Sequence, residues 1–284
     1  MKILAFGEVL WDIYPDSEHI GGAPFNFAAH FKKCGGNSWV ISAVGNDELG
    51  DKTIEIIEKM GVGSEYVSRS QRETGKCLVT LNEKQIPSYN LLNNVAYDDI
   101  KAPELTEKID VLYFGTLALR NDNNQETIKE IIKKYKFDEI FCDLNIRPPF
   151  YSEETINLAM KSATILKISD EELPEVMKFV GEYNTDKEGA ELICSKFKNV
   201  KLVIITKGEN GSFVYDAVNL KIYECKAKKT EVISTVGAGD SFSAAFLAKY
   251  LRKNDISDCL NFASEISGIV VSKAEAIPEY SINV

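Results

Sequence analysis

The stretch Ser234-Thr-Val-Gly-Ala-Gly-Asp-Ser-Phe-Ser-Ala-Ala-Phe246 decides how the rest of the chain is read. It follows a β-like run and passes into Phe242, Phe246 and Tyr250, spaced four apart, which puts three rings on one face of a helix beginning near Gly239. Gly237 and Gly239 remove Cβ atoms where a helix presents its unpaired N–H groups, so an anion can touch bare backbone there. Those donors and the positive end of the helix dipole make a cradle for phosphate. Asp240 falls in the first turn beside it. An anion hole adjoining a carboxylate suits phosphoryl transfer, with donors for the moving charge and a base for the attacking hydroxyl. Taken alone, the same residues also fit a glycine-rich loop whose aspartate caps a helix.

Outward from this stretch, apolar runs of strand length alternate with amphipathic helical ones. Strands are expected at Ile3–Phe6, Ser38–Val44, Val111–Phe114, Glu139–Leu144, Thr164–Ile168 and Lys201–Thr206. Helices are expected at Pro24–Cys34, Asp47–Met60, Asn123–Lys136, Ser152–Lys161, Asp170–Val180 and Asp186–Phe197, with capping boxes at Ser169/Glu172 and Thr185/Glu188. The alternation predicts an α/β fold, a mostly parallel sheet with helices on both faces. Residues 65–100 break the rhythm. Lys76–Asn82 and Ser88–Asn94 read as a hairpin, which is barely stable alone and must lean on the body or a second subunit. A small β lid follows, so the core is expected at 1–11, 22–64 and 101–284 and the lid at 12–21 and 65–100.

Composition narrows the partners. With 284 residues and 44% hydrophobic content, the chain can bury a large core. A net charge of −10 with five arginines disfavours nucleic acid. The six cysteines show no CxxC or zinc spacing, which predicts reduced, mostly buried thiols in a cytoplasmic protein. Glu8 interrupts the apolar run that a signal peptide needs, and no stretch approaches a membrane span. His19 and His30 are too far apart to suggest a shared site and read as surface or helix-face residues. Arg120, in a loop after a strand, is read equally as a substrate neighbour or a surface residue.

A second informative stretch is GGAPFNFAAHFKKCGG at 21–36. Gly21 and Gly22 permit close backbone approach, Pro24 suits a first helical turn, and Asn26 sets an amide one turn in. Asp12, after the first strand, can accept two hydroxyls. Neutral polyols are held by such groups, though an ordinary strand–turn–helix connection has the same composition.

GGAPFNFA with Gly35 and Gly45, together with STVGAGDSF, resembles the paired signatures of the ribokinase-type carbohydrate kinases. The similarity runs nearly end to end, through VGNDELG at 44–50, DLNIR at 143–147, ITKGENG at 205–211 and FASEISGIVVSKAEAIP at 262–278. GEVLWD, SYNLLNNVAYDDI, YFGTLALR and DLNIRPPFY most resemble the fructokinases. The resemblance implies ATP and Mg2+ as cosubstrate and metal, transfer of the γ-phosphoryl to a sugar primary hydroxyl, and a lid that often serves as a dimer interface. It implies Asp240 as base, with Gly237, Ala238 and Gly239 as anion hole. Asp12, Gly21, Gly22, Asn26 and Arg147 fall at substrate positions. Thr206, Lys207, Gly208, Gly211 and Ser264 fall at nucleotide positions, and Glu172 in the metal–water shell. Fructose is the expected sugar; 2-keto-3-deoxygluconate, another sugar of the family and a catalytically silent binding regulator are the alternatives. Ser234 stands where the family pattern has Asp, and Glu275 where it has Gly, which makes potassium activation doubtful.

Overall fold

The computed structural model describes residues 1–81 and 87–282. Nine strands form one sheet in the order β13-β12-β11-β10-β9-β8-β1-β4-β5. At its centre lie β1 (Lys2–Phe6), β4 (Asn37–Gly45), β8 (Val111–Phe114) and β9 (Glu139–Asp143). Beyond them lie β5 (Val67–Ser70) at one edge, and β10 (Ile165–Ser169), β11 (Leu202–Thr206), β12 (Ser212–Asp216) and β13 (Lys221–Cys225) toward the other. All pairings are parallel except β11–β12 and β12–β13. The innermost runs, such as Val111–Phe114, are apolar because both faces are covered.

Within β1 the alternation is visible residue by residue. Leu4 and Phe6 join a core that includes α3 (Asp122–Lys134), α4 (Glu153–Ser162), α5 (Leu173–Val180) and α6 (Asp186–Lys196). Ile3 and Ala5 join the opposite core with α1 (Ala23–Lys33), α2 (Glu48–Lys59), α7 (Ala238–Leu251) and α8 (Ile256–Val271). Helix, sheet and helix thus make three layers.

The lid is a separate four-stranded sheet in the order β3-β2-β6-β7, formed by β2 (Leu10–Ile13), β3 (Glu18–Gly21), β6 (Gly75–Leu81) and β7 (Pro87–Leu91). The expected hairpin is β6–β7, antiparallel; Asn82 lies outside the described residues. Two features of the chain differ from the sequence reading. β5 falls within 65–100 yet pairs with β4 in the large sheet, and β2 begins two residues before the expected lid boundary. A strand of four residues at a sheet edge carries too little pattern to be told from a loop.

The helix after Ser169 starts later than expected, at Leu173. Ser169 and Glu172 do exchange backbone and side-chain bonds, but across a turn ahead of the helix. Thr185 caps α6 as read, while Glu188 reaches back to the amide of Asn184, not to that of Thr185. His30 is a correction: it lies fully inside the protein, on the face of α1 turned to the C-terminal segment. All six cysteines are free thiols, four of them buried. No helix among the described residues is long and apolar enough to cross a membrane.

Candidate active site

The C-terminal ends of the parallel strands carry the candidate residues, as open α/β sheets generally do. α7 starts with Gly237 as N-cap at φ 78°, a conformation that favours glycine. A Cβ there would also lie 2.4 Å from the Ala276 carbonyl oxygen. No side chain caps the helix, so its first amides have no side-chain acceptor. The Ala238 amide bends back to the Thr235 carbonyl at 3.2 Å, a long contact that an incoming oxyanion can replace. The apolar face of α7 follows as read, with Phe246 stacked on Tyr250.

Asp240 is half-buried in the first turn, and its Oδ2 accepts a 2.8 Å hydrogen bond from Asn26 Nδ2 across 214 positions of sequence. This bond joins the two informative stretches directly. Burial, reinforced by the charge of Asp143, pushes the Asp240 carboxyl up to about 6; the Asn26 bond, Lys167 and Arg147 pull the other way. A base poised there is ionised at neutral pH yet still basic enough to take a proton. Asn26 Oδ1 is buried with no partner among the described residues, leaving an acceptor beside Asp240.

Gly22 caps α1 at φ 110°, and a Cβ there would lie 2.4 Å from the Glu8 carbonyl oxygen, so the two backbones meet as the glycine pair implied. Asp12 stands on β2, within the lid sheet, in register with Cys77 on β6. Desolvation raises its pKa. Gly21 closes β3 opposite Leu10, and a Cβ on it would lie 3.1 Å from Asp12 Oδ2. Arg147 is exposed, and its charge acts on Asp240, Glu8 and Asp12 together. The structure therefore brings Asp12, Gly21, Gly22, Asn26, Arg147 and Asp240 into one electrostatic neighbourhood.

The expected nucleotide positions lie farther along the sheet. Thr206 ends β11 and its carbonyl accepts the Asp170 amide. Lys207 is tied to Asp186 at 2.5 Å and lies over the Phe213 ring. Gly208 and Gly211 take φ 52° and 98°, and a Cβ on Gly211 would lie 2.0 Å from the Cys225 carbonyl oxygen. Ser264 is half-buried on α8, which packs against α7. Glu172 has both carboxylate oxygens engaged, by the amides of Ile146 at 2.5 Å and Ser169 at 2.7 Å. It organises the Asn145–Arg147 loop. Ser234 Oγ accepts the Val236 amide, and Glu275 is exposed.

Sequence reasoning gave no site role to three buried groups and left Arg120, in a fourth, open between substrate neighbour and surface residue. Lys167 Nζ bonds both oxygens of Asp143 at 2.9 Å, and Ser243 Oγ adds a third contact at 3.0 Å. This pair sits under the N-terminus of α7, where a Cβ on Gly239 would lie 3.5 Å from the ammonium. Burial opposes the Lys167 charge, but Asp143 and Glu172 hold its pKa above the ordinary lysine value. Asp98 and Arg120 form a second buried pair below the lid, at 2.8 and 2.9 Å. Glu8 is buried between them and Asp240, its carboxyl raised to about 7 mainly by desolvation. His30 donates from Nε2 to the Ala276 carbonyl at 2.9 Å and accepts the Tyr280 hydroxyl proton at Nδ1 over 2.6 Å. Burial lowers its pKa to about 4, so it is neutral. A signal did exist for Glu8 and Lys167: each is a charge inside an otherwise apolar strand run.

Residues 7–282 match the description "pfkB family carbohydrate kinase". Over 311 aligned residues the chain is 29% identical to "Probable fructokinase-5" of Arabidopsis thaliana, covering 97% of this chain and 93% of that one. An uncharacterized sugar kinase of Pyrococcus horikoshii, solved in complex with ATP, superposes with a TM-score of 0.83 at 27% identity, covering 97% and 94% of the two chains. The fructokinase of Vibrio cholerae, solved with fructose, ADP and calcium ion, superposes with a TM-score of 0.83 at 22% identity and the same coverage, which establishes a common fold. With this match over nearly its whole length, and with the paired signatures joined in space by Asn26 and Asp240, the chain belongs to the pfkB family of carbohydrate kinases.

Proposed function

We propose that this sugar kinase transfers the γ-phosphoryl of ATP to a primary hydroxyl of a neutral hexose, with fructose yielding fructose 6-phosphate. The observation that carries the reaction is the Asp240–Asn26 contact at the uncapped start of α7. The hydroxyl oxygen attacks the γ-phosphorus while its proton passes to the Asp240 carboxylate. The bond from phosphorus to the β,γ-bridging oxygen breaks, and ADP leaves. The amides at the head of α7 and the Arg147 guanidinium stabilise the charge that develops on the phosphoryl oxygens.

The residues present fit a magnesium ion that arrives on the nucleotide phosphates. No cluster of three or more metal-ligating side chains occurs among the described residues, and Glu172 is committed to backbone amides. Such an ion would supply charge neutralisation at the phosphates, and Glu172 would hold the Arg147 loop through its bond to the Ile146 amide. Glu8, Asp12, Asp98 and Asp240 face two guanidiniums, Arg120 and Arg147, so the sugar side carries an excess of negative charge. That excess favours a neutral sugar over 2-keto-3-deoxygluconate and over a phosphosugar.

ADP release measured across fructose, glucose, ribose, adenosine and 2-keto-3-deoxygluconate tests the proposal. Fructose is expected to show the highest kcat/KM. An acidic sugar in first place would replace the reading with its alternative. Calorimetric sugar binding without any ADP release would mark a silent regulator. Pairing of two chains through the lid belongs to the same reading, and a sedimentation profile of a monomer would remove it.

A further inference from the structure

Below the lid, three buried polar atoms have no hydrogen-bond partner among the described residues: Glu8 Oε2, the Tyr97 hydroxyl and Arg120 Nη1. Two of these residues are in contact, and the third acts on both through its charge. The Arg120 guanidinium stacks on the Tyr97 ring at 4.9 Å, and the Glu8 charge acts on both. Buried polar groups are ordinarily paired, so three spare ones linked in this way need a reason.

The remaining atoms of each residue are firmly held. Arg120 spends Nε and Nη2 on Asp98, gives Nη2 also to the Leu92 carbonyl at 2.7 Å, and is clamped on its other face by Phe150 at 4.8 Å. The Tyr97 ring lies where a Cβ on Gly75 would come within 2.5 Å, at the start of lid strand β6. Glu8 is buried just before the turn where a Cβ on Gly22 would meet its carbonyl oxygen, and the charges of Asp240 and Arg147 act on its carboxyl. The spare atoms are therefore fixed in place by rigid neighbours, as a recognition site requires. Arg120 and Asp98 also line a cleft of about 370 Å³, shared with Asn93, Asn94 and Phe150.

The Glu8 carboxyl, raised to about 7, and the Tyr97 hydroxyl can each give or accept a proton, while Arg120 Nη1 only gives. An anion would face a partly ionised Glu8 carboxyl, a cation would face Arg120, and an apolar group would leave all three unpaired. A hydroxyl gives a proton to the carboxyl oxygen and accepts one from the guanidinium. We propose that Glu8, Tyr97 and Arg120 form a specificity subsite that holds one sugar hydroxyl other than the hydroxyl that is phosphorylated. This rests on the neutral-sugar reading above and adds to it the residues that choose among sugars.

The test begins with the wild-type enzyme on the sugar panel, and the best sugar is carried forward with its singly deoxygenated analogues. One analogue is expected to lose about tenfold or more in kcat/KM, because a site built to bond a hydroxyl rejects the compound that lacks it. Glu8→Gln should raise the sugar KM by about tenfold while the KM for ATP stays within about twofold, and it should no longer penalise that analogue. Tyr97→Phe, which removes only the hydroxyl, should blunt the same preference, and Arg120→Lys should retain part of it. Wild-type discrimination among the analogues by Glu8→Gln and Tyr97→Phe overturns the proposal. So does a joint rise in both KM values, which would mark a purely structural group. Preference of the wild type for an acidic sugar overturns the neutral-sugar reading instead, and the deoxygenated series of that sugar then decides the subsite.

Discussion

Two buried ion pairs underlie the cleft, and they differ in how completely they are closed. Under α7, the Lys167 ammonium lies against both oxygens of Asp143, with Ser243 completing the carboxylate. Under the lid, Arg120 meets Asp98 through two nitrogens and keeps a third, Nη1, unpaired among the described residues. The first pair joins β9 and β10 to the helix that carries Asp240, so it supports the reacting group from behind. The second holds a donor in reserve close to the proposed sugar positions. A closed pair steadies a site, and an open one is equipped to read a ligand.

The largest expected effect lies at the carboxylate beside the closed pair. Asp240→Asn should leave nucleotide binding intact and lower kcat by about 10²–10⁴-fold, the usual contribution of a general base. Retention of more than about a tenth of kcat in steady-state assays would remove Asp240 from that role. The same variant should melt higher than wild type at neutral pH. The folded-state pKa of about 6 lies above the ordinary carboxylate value, so this group's contribution to stability is full below that value and is lost as pH rises through about 6. The neutral amide removes the penalty, which amounts to about 1–3 kcal/mol for a partly exposed group.

Breaking the pairs themselves sharpens the contrast. Lys167→Met leaves Asp143 buried and uncompensated, at a cost of about 3–5 kcal/mol in denaturant unfolding. It also withdraws a positive charge that lowers the Asp240 pKa, so the acidic limb of the kcat/KM profile should move to higher pH. Arg120→Met should destabilise as well but leave that limb in place, because Arg120 is not among the main charges acting on Asp240. Equal movement of the limb in both variants would erase the distinction between the pairs.

The smallest expected effect concerns potassium. Ser234 Oγ is turned to the Val236 amide and Glu275 is exposed, so neither brings a carboxylate to the anion-hole loop. Exchange of potassium for a large organic cation at constant ionic strength should change kcat/KM by less than about twofold. A severalfold rise that Glu275→Gln abolishes would assign the role to Glu275.

Much of this was legible before any coordinates. The apolar strand runs and amphipathic helices carry their periods openly, and Val111–Phe114 matches β8 residue for residue. The glycine pairs and Asp240 were readable because backbone approach and a helix start need those residue types. Less legible were groups whose meaning depends on contacts distant in sequence. Lys167 looks like an impurity in an apolar strand until Asp143, 24 positions away, is seen against it. Arg120 is a loop arginine until Asp98 and two aromatic rings enclose it. His30 acquires its setting only from Tyr280 and Ala276, at the far end of the chain. The short edge strand β5 escaped because four residues carry too little periodicity.

The bond between Asn26 and Asp240 has a consequence for synthesis. Chains emerge from the ribosome N-terminus first, so the proposed sugar residues Asp12, Gly22 and Asn26 are made early and Asp240 follows 214 positions after Asn26. A chain halted before residue 240 lacks both the proposed base and the α7 start proposed to cradle the phosphoryl charge. On the proposed reading, interrupted translation therefore leaves a fragment that has the sugar residues but not the group that activates the hydroxyl.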